Sequence, residues 1–147
     1  LGGSRMMSEA RNILEGFAQR PLLIAVSVLT SHSAADLQEI GFTQSPMELV
    51  SHLSGLAHKA GLDGMVCSAW EAEYLKRQFG ADFKLVTPGI RPAQASQDDQ
   101  TRIMTPKQAL TAGSDYLVVG RPITRSSQPQ LALEAIVDEI NGVKNEN

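Results

Sequence analysis

A single cysteine, Cys67, stands in 147 residues, so no disulfide can form within the chain. A lone thiol fits a reducing cytoplasm. No base lies near Cys67 in sequence, which predicts a buried structural thiol rather than a nucleophile. The longest apolar run, 21–29, falls far short of the roughly 20 residues a membrane-spanning helix needs. No basic-then-apolar leader opens the chain. Positive charge is not in excess: 13 Lys and Arg face 16 Asp and Glu, a formal charge of −3. That argues against a surface that coats nucleic acid, and leaves room for one local basic pocket. The three histidines, His32, His52 and His58, lack metal-ligand spacing. His52 and His58 are six apart on the helix predicted over 46–60, about 600° around its axis, so they are not expected to share a side. P-loop, G-x-G-x-x-G, G-x-S-x-G and paired-cysteine motifs are all missing.

What is present reads as one globular domain, with 42% hydrophobic and 20% charged residues. A Gly-x-Asp phrase occurs three times: Gly61 with Asp63, Gly80 with Asp82, Gly113 with Asp115. Each Gly closes an amphipathic segment, where a left-handed cap is needed. Each Asp opens a short apolar run of the kind buried on both faces of a parallel sheet. Four S/T-x-x-E/Q boxes begin helices: Ser45 with Glu48, Ser68 with Glu71, Thr105 with Gln108 and Ser127 with Gln130. Pro46 and Pro106 stand at first helical positions. Leu49, Leu53, Leu56 and Ala60 form one helical stripe. The pattern predicts helices over 4–19, 46–60, 69–79, 106–112 and 129–142, and strands over 22–29, 63–67, 83–87 and 115–119. Such alternation makes a parallel α/β sheet with right-handed crossovers. A small open sheet and half of a (β/α)8 barrel both satisfy it.

In either fold, ligands lie beyond the carboxyl ends of the strands. The stretch 115–126, DYLVVGRPITRS, runs a strand into Gly120, Arg121 and Pro122, with a new helix after them. Gly120 lets a backbone approach a ligand closely. Arg121 offers a planar cation that can hold a phosphate by two hydrogen bonds, and amides at the next helix start would favour the same anion. Arg91 follows the preceding strand in TPGIRP. The plain alternative for both is a solvated arginine or one paired with a nearby Asp. Gln100, in the polar connection after that strand, and Thr30, at the end of the first strand, could also meet a polar ligand. A surface glutamine and a backbone-bonded threonine explain them equally well. His32 stands near the rim of the same end, and Trp70 is expected to pack a helix start.

Read together, LLIAVSVLTS, GLDGMVCSAWEA, FKLVTPGIRP, DQTRIMTPKQAL and DYLVVGRPIT closely resemble the second half of orotidine 5′-phosphate decarboxylases of the bacterial kind. The resemblance covers essentially the whole chain, in order. It implies a (β/α)8 TIM barrel, of which strands 5 to 8 and their helices lie here. It also implies decarboxylation of orotidine 5′-monophosphate to UMP in pyrimidine biosynthesis, without cofactor or metal, by a cytoplasmic homodimer. By the same likeness Gly120 and Arg121 bind the substrate phosphate, Gln100 contacts the phosphate side, Arg91 belongs to the same region, and Thr30 meets the pyrimidine.

One departure is decisive. The family places its catalytic Lys and Asp residues as D-x-K-x-x-D on an earlier strand, and this chain has no such motif. Asp82-Phe-Lys84 begins like it, but Thr87 stands where the second Asp belongs, on the strand before TPGIRP. The chain is therefore expected to carry binding elements and no catalytic ones. It opens LGGSRMM without an initiator Met at position 1, and upstream residues are expected. Half a closed barrel exposes two strand edges and an apolar interior, so the chain alone is expected to self-associate or to need its other half. Rival readings are another phosphate-sugar barrel enzyme, and a non-catalytic half-barrel that binds a nucleotide or phosphate.

Overall fold

The computed structural model describes residues 2–92 and 102–145. The chain forms helix α1 (Gly3–Leu14), strand β1 (Ile24–Val26), helices α2 (Ala34–Glu39) and α3 (Pro46–Lys59), and strand β2 (Gly64–Val66). Helix α4 (Ala69–Phe79), strand β3 (Lys84–Thr87), helix α5 (Pro106–Thr111), strand β4 (Tyr116–Leu117) and helices α6 (Arg121–Thr124) and α7 (Pro129–Asn145) follow. The strands make one parallel sheet in the order β1-β2-β3-β4. Sequential order is how strands run round a barrel. An open doubly wound sheet doubles back, as in 3-2-1-4.

The helix starts show which local signals hold. Ser45 and Glu48 form a reciprocal capping box: the Glu48 N–H donates to Ser45 Oγ (3.3 Å) and the Ser45 N–H to the Glu48 carboxylate (2.9 Å). Thr105 and Gln108 do the same at α5. Ser68 caps α4 by accepting from the Trp70 N–H, but Glu71 does not complete the box. Helix α7 begins at Pro129, so Ser127 lies outside it, and the Gln128 N–H donates to Ser126 Oγ (3.1 Å) instead. Helix α2 was not expected. Its box pairs Ser33 with Asp36, a shorter acid than the Glu or Gln of the usual pattern. Helix α1 stops at Leu14 rather than 19, where tight turns from Glu15 to Asn12 and from Phe17 to Leu14 replace it around Gly16.

The Gly-x-Asp phrase serves the amino end of the sheet. Gly61, Gly80 and Gly113 adopt φ of +76°, +85° and +105°, the left-handed region that favours glycine. Asp63 then accepts the N–H of Leu23, and Asp115 that of Leu85, both at 2.7 Å. Each carboxylate thus ties its own strand to the start of the one before. Arg20 holds Asp63 through two hydrogen bonds of 2.6 and 2.7 Å, and Lys76 holds Asp115 at 2.7 Å. Asp82, in the middle copy, is exposed. Just beyond Asp63, Gly64 lies so close to β3 that a Cβ there would sit 2.0 Å from the Lys84 carbonyl oxygen.

The Arg20 guanidinium, against the cost of burial and aided by the Leu23 N–H, holds the Asp63 carboxyl below its usual range. A depressed folded-state pKa stabilises the fold above the unfolded value and loses that contribution as pH falls through the folded one. Asp63→Asn should therefore reduce stability at pH 7 by about 1–3 kcal/mol. The variant should also lose less than the parent between pH 7 and pH 3. Urea midpoints at the two pH values measure both effects, and an equal acid loss in parent and variant would contradict the assignment.

The main core lies between sheet and helices, with Leu37, Val50, Ala57, Met65, Leu75 and Leu85 fully enclosed. A second cluster of Ala69, Ile90 and Ala109, joined by Met104, Leu117 and Val119, lies further along the sheet. Helix α3 turns slightly from the expected stripe: Val50, Ser54 and Ala57 are its deepest residues. Leu53 and Leu56 instead line an apolar cavity of about 330 Å³ with Met6, Met7 and Val26. Both edge strands carry exposed apolar side chains, with Val26 62% and Tyr116 51% accessible. Among the described residues no helix is long and apolar enough to cross a membrane.

Candidate functional site

Thr30, Arg91 and Arg121 each stand four residues past the end of a strand, at Val26, Thr87 and Leu117 respectively. All three therefore follow the carboxyl ends of parallel strands. β3 and β4 are direct neighbours, with Thr87 opposite Leu117, so Arg91 and Arg121 leave adjacent strands. Thr30 leaves the opposite edge strand. Gln100 lies outside the described residues.

The side chains are not those of a solvated loop. Thr30 and Arg91 are each 5% exposed. Arg91 is fixed by its backbone as well: its N–H donates to the Met104 carbonyl (2.9 Å), and the Met104 N–H donates to the Gly89 carbonyl (3.3 Å). Its Nη1 turns back to the Ile90 carbonyl at 2.9 Å. Arg121 is half-buried at the start of α6, with Gly120 as N-cap. A Cβ at Gly120 would meet no described residue within 4 Å. Helix α6 itself offers little to an anion. Pro122 has no N–H, and Ile123 and Thr124 donate theirs to the Gly120 carbonyl. Arg121 itself, rather than the helix end, is the cationic group at this position.

Two further charged residues lie at this end of the sheet. Glu71 and Arg102 are 2% and 8% exposed and form a hydrogen-bonded ion pair through Oε1 and Nη1. Arg102 Nη2 reaches the Leu29 carbonyl at 3.1 Å. Burial pushes the Glu71 carboxyl up, and the neighbouring Arg102 charge opposes that shift. Sequence reasoning missed the pair because Glu71 fits a capping box and Arg102 follows a polar stretch. Only packing shows that Glu71 is buried on α4 with Ala69, Ala72 and Leu75. Trp70 is exposed rather than packed inward, and its indole N–H donates to the Ile103 carbonyl (3.0 Å).

The remaining candidates fall away from this end or from chemistry. Cys67 is 1% exposed and its thiol is pushed up to about 12, chiefly by burial, so it is the inert thiol expected. His52 and His58, expected on different sides of α3, border one groove of about 290 Å³ between α3 and α4. The His58 ring leans on Phe79 and Phe83 at 5.2 and 5.7 Å between centroids. His32 lines a separate apolar cavity of about 140 Å³ with Leu29 and Leu37. Lys84 opens β3, with Nζ 3.6 Å from Asp115 at the amino end. It cannot serve a site beyond the carboxyl end of the same strand.

Parallel strands in sequence order, with cationic and hydroxyl side chains past their carboxyl ends, make an α/β protein with the strand order of a (β/α)8 barrel. The chain belongs to the orotidine 5′-phosphate decarboxylase / HUMPS family, which residues 1–136 match. It is 59% identical over 140 residues to an orotidine 5′-phosphate decarboxylase of Chromobacterium violaceum, covering 95% of this chain and 57% of that protein. A Vibrio cholerae protein of the same name is 59% identical over 136 residues, covering 92% of this chain and 59% of its own length. Among solved structures, the Lactobacillus acidophilus orotidine 5′-phosphate decarboxylase superposes with a TM-score of 0.77 at 41% identity, over 95% of this chain and 60% of that one. The Sulfolobus solfataricus orotidine 5′-monophosphate decarboxylase, at 21% identity and a TM-score of 0.64 over 93% of this chain and 56% of that one, shares the fold. The chain spans somewhat under three fifths of the length of the two curated relatives.

Proposed function

We propose that the protein carrying this chain decarboxylates orotidine 5′-monophosphate to UMP, and that the chain supplies strands 5 to 8 of its barrel. The reading is carried by the 59% identity that extends over 95% of the chain to a relative bearing that activity in its name. In this reading Arg121 and Gly120 grip the substrate phosphate, with Arg91 and Gln100 on the same side and Thr30 toward the base. The open cavity beside β1 supports it, since another strand pairing with that edge would cover Val26 and Met6. The catalytic Lys and Asp residues would come from outside this chain, in a cytoplasmic homodimer that uses no cofactor.

A spectroscopic assay following loss of orotidine 5′-monophosphate tests the proposal. Turnover is expected from the intact protein and none from residues 1–147 alone, which lack D-x-K-x-x-D. An intact protein that neither turns over the substrate nor binds UMP, and binds ribulose 5-phosphate instead, would transfer the site to another phosphate-sugar enzyme.

A further inference from the structure

The buried Glu71–Arg102 pair has no part in the reading above, yet it joins three pieces of chain around the candidate site. Arg102 sits beyond the carboxyl end of β3. Its guanidinium spans to Glu71 in the first turn of α4, after β2, and to the Leu29 carbonyl, after β1. Leu29 immediately precedes Thr30. The two residues after Arg102 are held as well: Ile103 by the Trp70 indole and Met104 by the backbone of Gly89 and Arg91. The segment 102–104 is thus laid across the ends of three strands, with Thr30 at one end and Arg91 at the other.

A pair built only for stability would be an odd choice here. Two charges taken out of water gain little over well-packed apolar side chains of similar size. Among the described residues, Glu71 Oε2 and Arg102 Nε are moreover buried with no hydrogen-bond partner, which an apolar replacement would not leave behind. The Leu29 carbonyl already accepts the His32 N–H within the turn that presents Thr30 (3.0 Å); what an apolar replacement cannot do is tie that turn, through the same carbonyl, to the 102–104 segment that holds Arg91.

We infer that Glu71 and Arg102 are positioning residues, which fix Thr30 and Arg91 relative to one another so that both meet one phosphorylated nucleoside. This rests on the decarboxylase reading of the same site. Neither residue touches substrate. Their effect passes through the Leu29 carbonyl and the strand-like 102–104 segment, and misplacing a contact by about 1 Å can cost on the order of 100-fold.

The test compares the intact protein with Glu71→Gln, Arg102→Lys and the double variant Glu71→Met/Arg102→Met. Thermal midpoint, UMP affinity and the KM and kcat for orotidine 5′-monophosphate are measured for each. The double variant should keep a midpoint near the parent's, while UMP binds about tenfold or more weakly and KM rises similarly. The single variants, which leave one buried charge poorly matched, should lose both stability and affinity. A double variant with parental UMP affinity and KM overturns the inference and leaves the decarboxylase reading intact. A parent that does not bind UMP overturns that reading, and this one with it.

Discussion

Gly64→Ala should be the most damaging single change at the amino end of the sheet, lowering stability by about 3 kcal/mol or more. The added Cβ would lie 2.0 Å from the Lys84 carbonyl oxygen, 2.7 Å from its carbon and 2.9 Å from its Cα. All three are backbone atoms, so no side chain can swing aside. β2 has partners on both flanks, and relief requires pushing β3 away. That would stretch the bond from the Lys84 N–H to the Asp63 carbonyl (2.8 Å). Gly142→Ala is the control. It lies exposed within α7 with no described residue within 4 Å of the new Cβ, and should raise stability by about 0.5–1 kcal/mol. Thermal unfolding of the intact protein measures both, and a parental midpoint for Gly64→Ala would show that β2 and β3 do not approach as described.

Arg121→Ala should leave the fold in place and weaken UMP binding by about 1.5–3 kcal/mol, roughly 10- to 150-fold. Arg121 is half-buried at the head of a four-residue helix, so truncation there opens no core cavity. The loss should be confined to ligands with a phosphate: uridine should bind parent and variant alike. Arg121→Lys should recover only part of the affinity, because an ammonium cannot reproduce a two-pronged contact. Calorimetric titration with UMP and with uridine separates these outcomes. An equal loss for the two ligands would mean that Arg121 shapes the pocket rather than holding the phosphate.

Much of the architecture was legible because its signals are local. Gly61, Gly80 and Gly113 sit at left-handed positions that any L side chain resists, and the Ser45 and Thr105 boxes close within four residues. Failures arose where a distant group competed. Glu71 fits a capping box by spacing, but Arg102, 31 residues on, takes its carboxylate. Ser127 fits too, but the Ser126 hydroxyl takes the Gln128 amide, and α7 starts at Pro129, as expected, without a Ser127 cap. Strand order, which separates a barrel from an open sheet, depends on pairing between segments such as Ile24 with Gly64, and no periodicity encodes it. In the candidate site, strand endings marked Thr30, Arg91, Gly120 and Arg121 as candidates. The burial of Thr30 and Arg91, and the pair between them, came only from packing.

The two ends of the sheet answer to different demands. Asp63 and Asp115, with Arg20 and Lys76, rivet one rim by contacts that skip one or two whole helices. The loops at the opposite rim share none of those rivets. Whoever wishes to retune what this scaffold accepts can therefore randomise the turn after β4 while leaving the riveted rim, and the Arg102-anchored turn after β1, untouched. Libraries built that way should stay foldable at a far higher rate than libraries that include Gly64, Asp63 or Asp115.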